Sequence, residues 1–203
     1  MITVNVILGS TREISIGKRL FKYLEKMIAP VVSEKEEINF KFITLDQYNL
    51  PFFYEDIPPV NNSKRNLNPN EQQWINDMKN ADGYLFLTPE YNHGIPAVLK
   101  NAIDFLALEA SGKPAKIISY ADSMRAGQIA AESLKPILQR LNIFTLPMVT
   151  SVGKVTTNFT PDGFLAEDAP SGAYYQKKLL ETLHEIGFYS KLFAENPYFP
   201  FND

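Results

Sequence analysis

One strand–loop–helix unit occupies residues 2–29 of the 203-residue chain. It runs Ile2-Thr3-Val4-Asn5-Val6-Ile7-Leu8, then Gly9-Ser10-Thr11-Arg12, and then a segment of helical period from Ser15 to Ala29. The first run is mostly apolar and β-branched, which is typical of a strand that is buried on both faces. Apolar residues every three or four positions in the last segment predict a helix with one face in the core.

The same unit recurs five times along the chain. Strand-like runs stand at residues 2–8, 40–45, 84–87, 115–120 and 144–149, and segments of helical period alternate with them. Strict alternation forces right-handed crossovers, so it predicts an α/β fold with a doubly wound, five-stranded parallel sheet and helices on both faces. Pro147 interrupts the fifth run, which favours an edge position for that strand.

The domain organisation follows from length and composition. We expect a single domain over residues 1–190 and a C-terminal aromatic tail over 191–203 that contains Tyr198, Phe199 and Phe201. A long loop rich in proline, asparagine and aromatic residues fills residues 46–69, and Asn70 is the expected cap of the short helix after it.

Composition excludes several classes of function. The chain has no cysteine, which rules out disulfides, a cysteine nucleophile, an iron–sulfur cluster and a thiolate zinc site. Two histidines without an acidic cluster beside them predict no metal site. A net charge of −3 lacks the basic footprint of a nucleic-acid binder. No apolar run approaches the ~18 residues of a membrane span, and the absence of a signal-peptide pattern predicts a cytoplasmic protein.

The first loop has the chemistry of a phosphate site. Ligands of open parallel sheets bind past the carboxyl ends of strands, and Gly9-Ser10-Thr11-Arg12 follows the first strand. The loop matches neither the dinucleotide fingerprint nor the P-loop. Its hydroxyls, Arg12 and the helix start after Ser15 favour an anion, as do five basic against two acidic residues from Arg12 to Lys26. The alternative is that Ser15 caps the helix and Arg12 is a surface charge.

Two further loops lie at the same predicted edge. Thr88 to Pro96 combines prolines, a glycine and a tyrosine, which indicates either a wall for a planar, hydrogen-bonding ligand or a rigid connection. His93 has no acid or nucleophile near it in the sequence, so we interpret it as a structural or rim residue. In the loop after the fourth strand, Asp122 or Ser123 is expected to cap the next helix.

The motifs in these loops resemble the NADPH-dependent FMN reductase family, flavodoxin-like enzymes that include quinone and azo-dye reductases. The resemblance rests on Gly9-Ser10-Thr11-Arg12, on Gly112-Lys113-Pro114 and above all on the stretch from Pro89 to Asp104, PEYNHGIPAVLKNAID. It implies a flavodoxin-like sheet of order 2-1-3-4-5 and FMN as cofactor. NADPH or NADH is the implied co-substrate.

The resemblance also implies roles for individual residues. Ser10, Arg12 and Ser15 would hold the FMN phosphate, while Pro89, Glu90, Tyr91 and Asn92 would border the flavin ring. Ser119 and Tyr120 would lie beside the cofactor. Glycines are common in the family after this point, whereas this chain has Ala121-Asp122, whose side chains would narrow the approach to the flavin or bring a carboxylate near it.

Family members are usually dimers or tetramers, so the resemblance implies a homo-oligomer. The helix after Gly94 is the implied subunit contact, and the aromatic loop at residues 48–54 is either a second contact or a cap on the core.

The leading hypothesis is hydride transfer from NAD(P)H through FMN to a small-molecule acceptor such as a quinone, an azo compound or a flavin. A flavin supplies its own redox chemistry, so no acid–base residue is required and we assign no catalytic side chain. Two alternatives are a flavodoxin-like electron carrier and a flavin-binding regulatory or scaffold protein without significant turnover.

Overall fold

The computed structural model of the chain describes residues 1–198 and contains one parallel sheet. Its strand order is β2-β1-β3-β4-β5, with β6 also paired to β4, which confirms the expected flavodoxin-like topology. The strands are β1 Ile2–Leu8, β2 Ile38–Thr44, β3 Gly83–Pro89, β4 Pro114–Tyr120, β5 Phe144–Thr145 and β6 Thr150–Val152.

The edge of the sheet differs from the single strand expected at residues 144–149. β5 pairs with the start of β4 and β6 pairs with its end, and both pairs are parallel. Pro147 lies in the gap between them and has no N–H to donate to a ladder. The expected edge position is therefore confirmed, and the fifth position of the sheet is shared by two short strands.

Helices cover both faces of the sheet and bury two apolar clusters. Successive strand residues point to opposite sides, so that Val6 belongs to one cluster and Ile7 to the other. Leu20 and Leu183 cover the first face, and Trp74 covers the second. The helices are α1 Gly17–Tyr23, α2 Ala29–Glu36, α3 Pro69–Asn80, α4 Ala97–Asp104, α5 Gln128–Arg140, α6 Val155–Asn158 and α7 Gly172–Glu195.

The first helical segment is longer than the predicted range of 15–29. α1 passes into a π-helical turn at Leu24–Ile28, and α2 then continues to Glu36. The π-turn ends two residues before Pro30, which lacks the N–H that an α-helix would bond to the carbonyl of Lys26. The helical segment thus continues through Pro30 instead of ending at Ala29.

The cap of α3 is Asn68, two residues before the predicted Asn70. Asn68 Oδ1 accepts hydrogen bonds from the backbone N–H groups of Asn70 and Glu71, at 2.9 and 3.0 Å. The Glu71 carboxylate accepts in return from the Asn68 N–H at 2.8 Å, which completes a capping box. Pro69 at the first helical position should have signalled this start.

α7 continues to Glu195, past residue 190, where we expected the domain to end; the domain boundary itself stays a prediction. Tyr198 is 80% exposed. The remaining residues of the expected aromatic tail, 199–203, lie outside the described residues, so its role stays a prediction. Within the described range, no helix has the length and apolar character to cross a bilayer.

Candidate functional site

The loops that follow β1, β3 and β4 meet at one edge of the sheet and enclose a cavity of about 300 Å³. This edge carries the carboxyl ends of the strands and includes the switch between β1 and β3, where ligands bind in open parallel sheets. The cavity is lined by Arg12, Ile14, Ser15, Ile16, Pro89, Glu90, Tyr91, Tyr120, Ala121 and Asp122.

A larger cavity of about 810 Å³ lies at the opposite edge, beside Asp82, Lys113 and Phe144. The Lys113 ammonium already donates to the Lys79 and Glu109 carbonyl oxygens, at 2.6 and 3.2 Å. Because the polar residues of the three loops converge only on the smaller cavity, we assign the functional site there.

Loop 1, residues 9–16, presents an uninterrupted series of free backbone donors. Gly9 N–H bonds the Leu87 carbonyl at 2.8 Å, and the next backbone donor with a protein acceptor is Gly17, which bonds Ser15 Oγ at 3.2 Å. Within residues 1–198, no N–H from Ser10 to Ile16 donates to a protein acceptor. Free N–H groups of this kind beside the start of a helix are donors that an anion can accept from.

Hydroxyl groups surround the same loop. Ser10 is buried, and its hydroxyl is 2.9 Å from that of Tyr91 on the β3 loop. The side chain of Tyr120 is fully buried, and its hydroxyl has no partner among the described residues. Burial raises the pKa of Tyr120, and the neighbouring Ser15 and Ser10 hydroxyls and the Arg12 guanidinium only partly offset this. The phenol therefore stays neutral and keeps its proton to donate.

The basic residues of α1 do not serve this cavity, contrary to our interpretation of their charge. Only Arg12 lines it, and Arg12 is exposed and has no hydrogen-bond or ionic partner in the described chain. The other four donate to main-chain carbonyl oxygens: Lys18 to Glu13 (3.2 Å), Arg19 to Phe159 (3.0 Å), Lys22 to Pro161 (3.1 Å) and Lys26 to Asp162 (2.8 Å). Three of these contacts fasten the 156–162 segment to the first helix.

Loop 3, residues 89–96, is a rigid wall because it turns through two left-handed residues. Asn92 and His93 have φ values of 49° and 63°, and Tyr91 and Gly94 exchange backbone hydrogen bonds of 2.9 and 3.0 Å around them. The turn leaves both side chains exposed and outside the cavity lining, whereas Pro89 and Tyr91 line it. The interpretation of His93 as a structural or rim residue stays a prediction.

Glu90 connects loop 3 to helix α5. Its carboxylate accepts from the N–H groups of Ile129 and Ala130, at 3.0 and 3.3 Å. The N-cap residue of α5 is Gly127, which has no side chain to do this. Glu90 therefore caps the helix from another loop, and the prediction that Asp122 or Ser123 caps it is wrong.

The loop after β4 contributes through Tyr120, Ala121 and Asp122. The Asp122 carboxylate lies on the cavity wall and accepts from the Thr156 N–H at 2.8 Å, in the first turn of α6. Ser119 does not line the cavity, since its hydroxyl points to Ser151 on β6, 3.1 Å away.

Sequence reasoning missed one prominent lining residue. Ile14 is 88% exposed and lines the cavity. Its only signal in the sequence was an apolar side chain directly after the polar run Ser10 to Glu13.

Comparisons with known proteins agree on one family. The model of a family described as NADPH-dependent FMN reductase matches residues 2–157. The chain is 31% identical to an NAD(P)H-dependent FMN reductase of Schizosaccharomyces pombe over 95% of this chain and 90% of that protein. It is 28% identical to a quinone reductase of Pseudomonas putida over 72% of this chain and 74% of that protein. The flavoenzyme NAD(P)H:(acceptor) oxidoreductase FerB from Paracoccus denitrificans has the same fold, with a TM-score of 0.73, 22% identity and coverage of 95% and 98% of the two chains.

Proposed function

The chain belongs to the NADPH-dependent FMN reductase family, and from that membership we propose how its site works and which acceptor it reduces. It is an oxidoreductase that takes FMN as cofactor and NAD(P)H as reductant. The proposal adds that the cavity at the ends of β1, β3 and β4 is the FMN site, and that the acceptor is a quinone.

The free donors of loop 1 are the observation that carries the assignment of the site. FMN ends in a phosphate dianion, and loop 1 offers seven consecutive N–H groups, from Ser10 to Ile16, that have no protein acceptor within residues 1–198. Arg12, which has no hydrogen-bond or ionic partner within residues 1–198, lines the same cavity. The residues present therefore fit an FMN phosphate.

Each part of the cavity has a separate task in this proposal. Ser10, Arg12 and Ser15, with the loop 1 N–H groups, bind and orient the phosphate. Pro89 and Tyr91 provide a rigid wall for the flavin ring. The turn at Asn92 and the Glu90 contact to α5 fix the position of that wall.

FMN held in this cavity would supply the redox chemistry, a two-electron, hydride-level transfer from NAD(P)H to the acceptor, with any further proton coming from solvent. The chain's own contribution is binding, orientation and shielding. Ile14, exposed at the cavity, gives the ring or the incoming acceptor an apolar contact. No side chain is assigned to proton transfer.

The proposed acceptor class and the proposed reductant both rest on the names of the related proteins. A quinone is planar and fits an apolar wall, and one of the relatives reported above is named a quinone reductase. NADPH is the proposed reductant on the name of the matching family. A cytoplasmic location remains a prediction from the sequence, to be checked by fractionation.

A homo-oligomer, dimeric or tetrameric, is also part of the proposal. In the aromatic loop, Tyr48 is fully buried and Phe53 packs on Phe105, with ring centroids 5.4 Å apart. Phe52 and Tyr54 point outward and are 83% and 59% exposed. Tyr48 and Phe53 therefore cap the core, while the exposed Phe52 and Tyr54 support a subunit contact. Sedimentation equilibrium would measure the oligomeric state directly.

The test of the function is an anaerobic absorption experiment on the purified full chain. We expect added FMN to bind, NADPH to bleach its visible band, and a quinone to restore the band. Repeating the reduction with NADH ranks the two nucleotides.

The alternatives give different results in the same cuvette. A flavin band that neither nucleotide bleaches would contradict a reductase and favour an electron carrier or a regulatory flavoprotein. A chain that does not bind FMN at all would contradict both the assigned site and the activity.

A further inference from the structure

Tyr120 places a buried hydroxyl directly beneath loop 1. It is the last residue of β4, it is fully buried, and its hydroxyl has no partner among the described residues. A Cβ built on Gly17, the first residue of α1, would lie 2.1 Å from that oxygen. The phenol therefore reaches the point where the free N–H groups end and the first helix begins.

The surroundings of this hydroxyl consist of groups that a phosphate ester would engage. Ser10 and Ser15 lie beside it, and Arg12 is near enough to influence its ionisation. Ser15 already accepts from the Gly17 N–H, and Ser10 shares its hydroxyl with Tyr91. The Ser10 and Ser15 hydroxyls are neighbours of the Tyr120 O–H but lie outside hydrogen-bond geometry, so the Tyr120 O–H has no acceptor within residues 1–198, although buried hydroxyls normally have one.

We propose that the Tyr120 hydroxyl donates to the 5′-phosphate of FMN and makes the site select the phosphorylated flavin over riboflavin. This inference rests on the proposed FMN site. It assigns to Tyr120 contact with the phosphate, not with the ring. A neutral phenol gains a charged acceptor from FMN, whereas riboflavin leaves the same donor unpaired in the interior.

The test compares FMN and riboflavin binding by the full chain after flavin is dialysed away. Quenching of flavin fluorescence gives both affinities for the wild type and for Tyr120→Phe. We expect Tyr120→Phe to weaken FMN binding by about 10- to 100-fold, as for loss of a hydrogen bond to a charged group. The riboflavin affinity of Tyr120→Phe should equal that of the wild type, and this result would also show that the variant is folded.

Tyr23→Phe is the matched control. Tyr23 is also buried, and its hydroxyl also lacks a partner in residues 1–198, but its ring packs on Phe159, 5.0 Å away between centroids. We expect its FMN affinity to equal that of the wild type. If both variants lost FMN affinity equally, the loss would not depend on where the buried phenol lies, and the proposal would be overturned.

Inorganic phosphate provides a second measurement on the unmodified chain. At matched ionic strength, phosphate should compete with FMN but not with riboflavin, and the competition should be weaker in Tyr120→Phe. If Tyr120→Phe lost affinity for FMN and riboflavin by the same factor, or lost no affinity for FMN, the proposal would be overturned while the FMN site stayed intact. A wild-type chain that binds neither flavin would instead contradict the proposed function, and the inference with it.

Discussion

Replacing Glu90 tests how loop 3 is held against α5. Glu90→Ala removes the acceptor for the Ile129 and Ala130 N–H groups, at 3.0 and 3.3 Å, and the negative charge at a helix N-terminus. Loss of an N-cap costs about 0.5–2 kcal/mol, and loss of the charge about 0.3–1 kcal/mol. Glu90 is partly exposed, and solvent screening weakens such contacts. We therefore expect the free energy of unfolding to fall by about 1–2 kcal/mol, in the lower part of the summed range. Glu90→Gln keeps an acceptor oxygen and should lose only about 0.3–1 kcal/mol.

Thermal unfolding without flavin is the assay, since bound ligand would add its own stabilisation. For a domain of this size we expect Glu90→Ala to lower Tm by about 2–8 °C and Glu90→Gln by about half of that. Glu132→Ala is the control, because Glu132 lies on the same helix with a 64% exposed side chain and an ion pair to Lys135. A Glu90→Ala variant as stable as Glu132→Ala would refute the capping contact.

Three further substitutions test other parts of the structure. Arg12→Ala should weaken FMN binding by about 10-fold, the low end for a charge-assisted contact because Arg12 is exposed, and an unchanged fluorescence titration would remove it from the site. Gly17→Ala should melt well below Gly94→Ala, because the new Cβ would meet the Tyr120 hydroxyl at 2.1 Å, whereas at Gly94 the nearest atom is 3.7 Å away. Asn68→Ala should lose about 1 kcal/mol of unfolding free energy in urea. Equal losses in Asn68→Ala and Asn70→Ala would contradict the capping box.

The fold was predictable because its signals are local. Runs such as Ile2–Leu8 are buried on both faces, and their apolar composition shows this without any knowledge of their neighbours. The same runs indicate where the carboxyl ends of the strands lie, and the candidate cavity is found there. Loop 1 was recognisable from its hydroxyls and Arg12, although the freedom of its N–H groups is visible only in the structure.

The rest depended on contacts between distant residues. Glu90 caps a helix that begins 38 positions later, and nothing near Gln128 in the sequence indicates an external cap. The excess of basic residues also led to a wrong interpretation of the charge around the site. Lys22 and Lys26 donate to main-chain carbonyl oxygens, and such partners cannot be inferred from composition. Pro147 indicated that the edge strand is interrupted. Nothing in the sequence indicated which residues of β4 pair with the short strands on either side of it.

The 156–162 segment is held by the side chains of Arg19, Lys22 and Lys26, which donate to its main-chain carbonyl oxygens. The two sides of this contact therefore differ in how well they tolerate substitution. Every residue type carries a carbonyl oxygen, so changes within the segment leave the acceptors in place. A change at any of the three basic positions removes a donor. The chain is therefore free to alter the size and charge of this surface beside the cavity while keeping the path of its backbone.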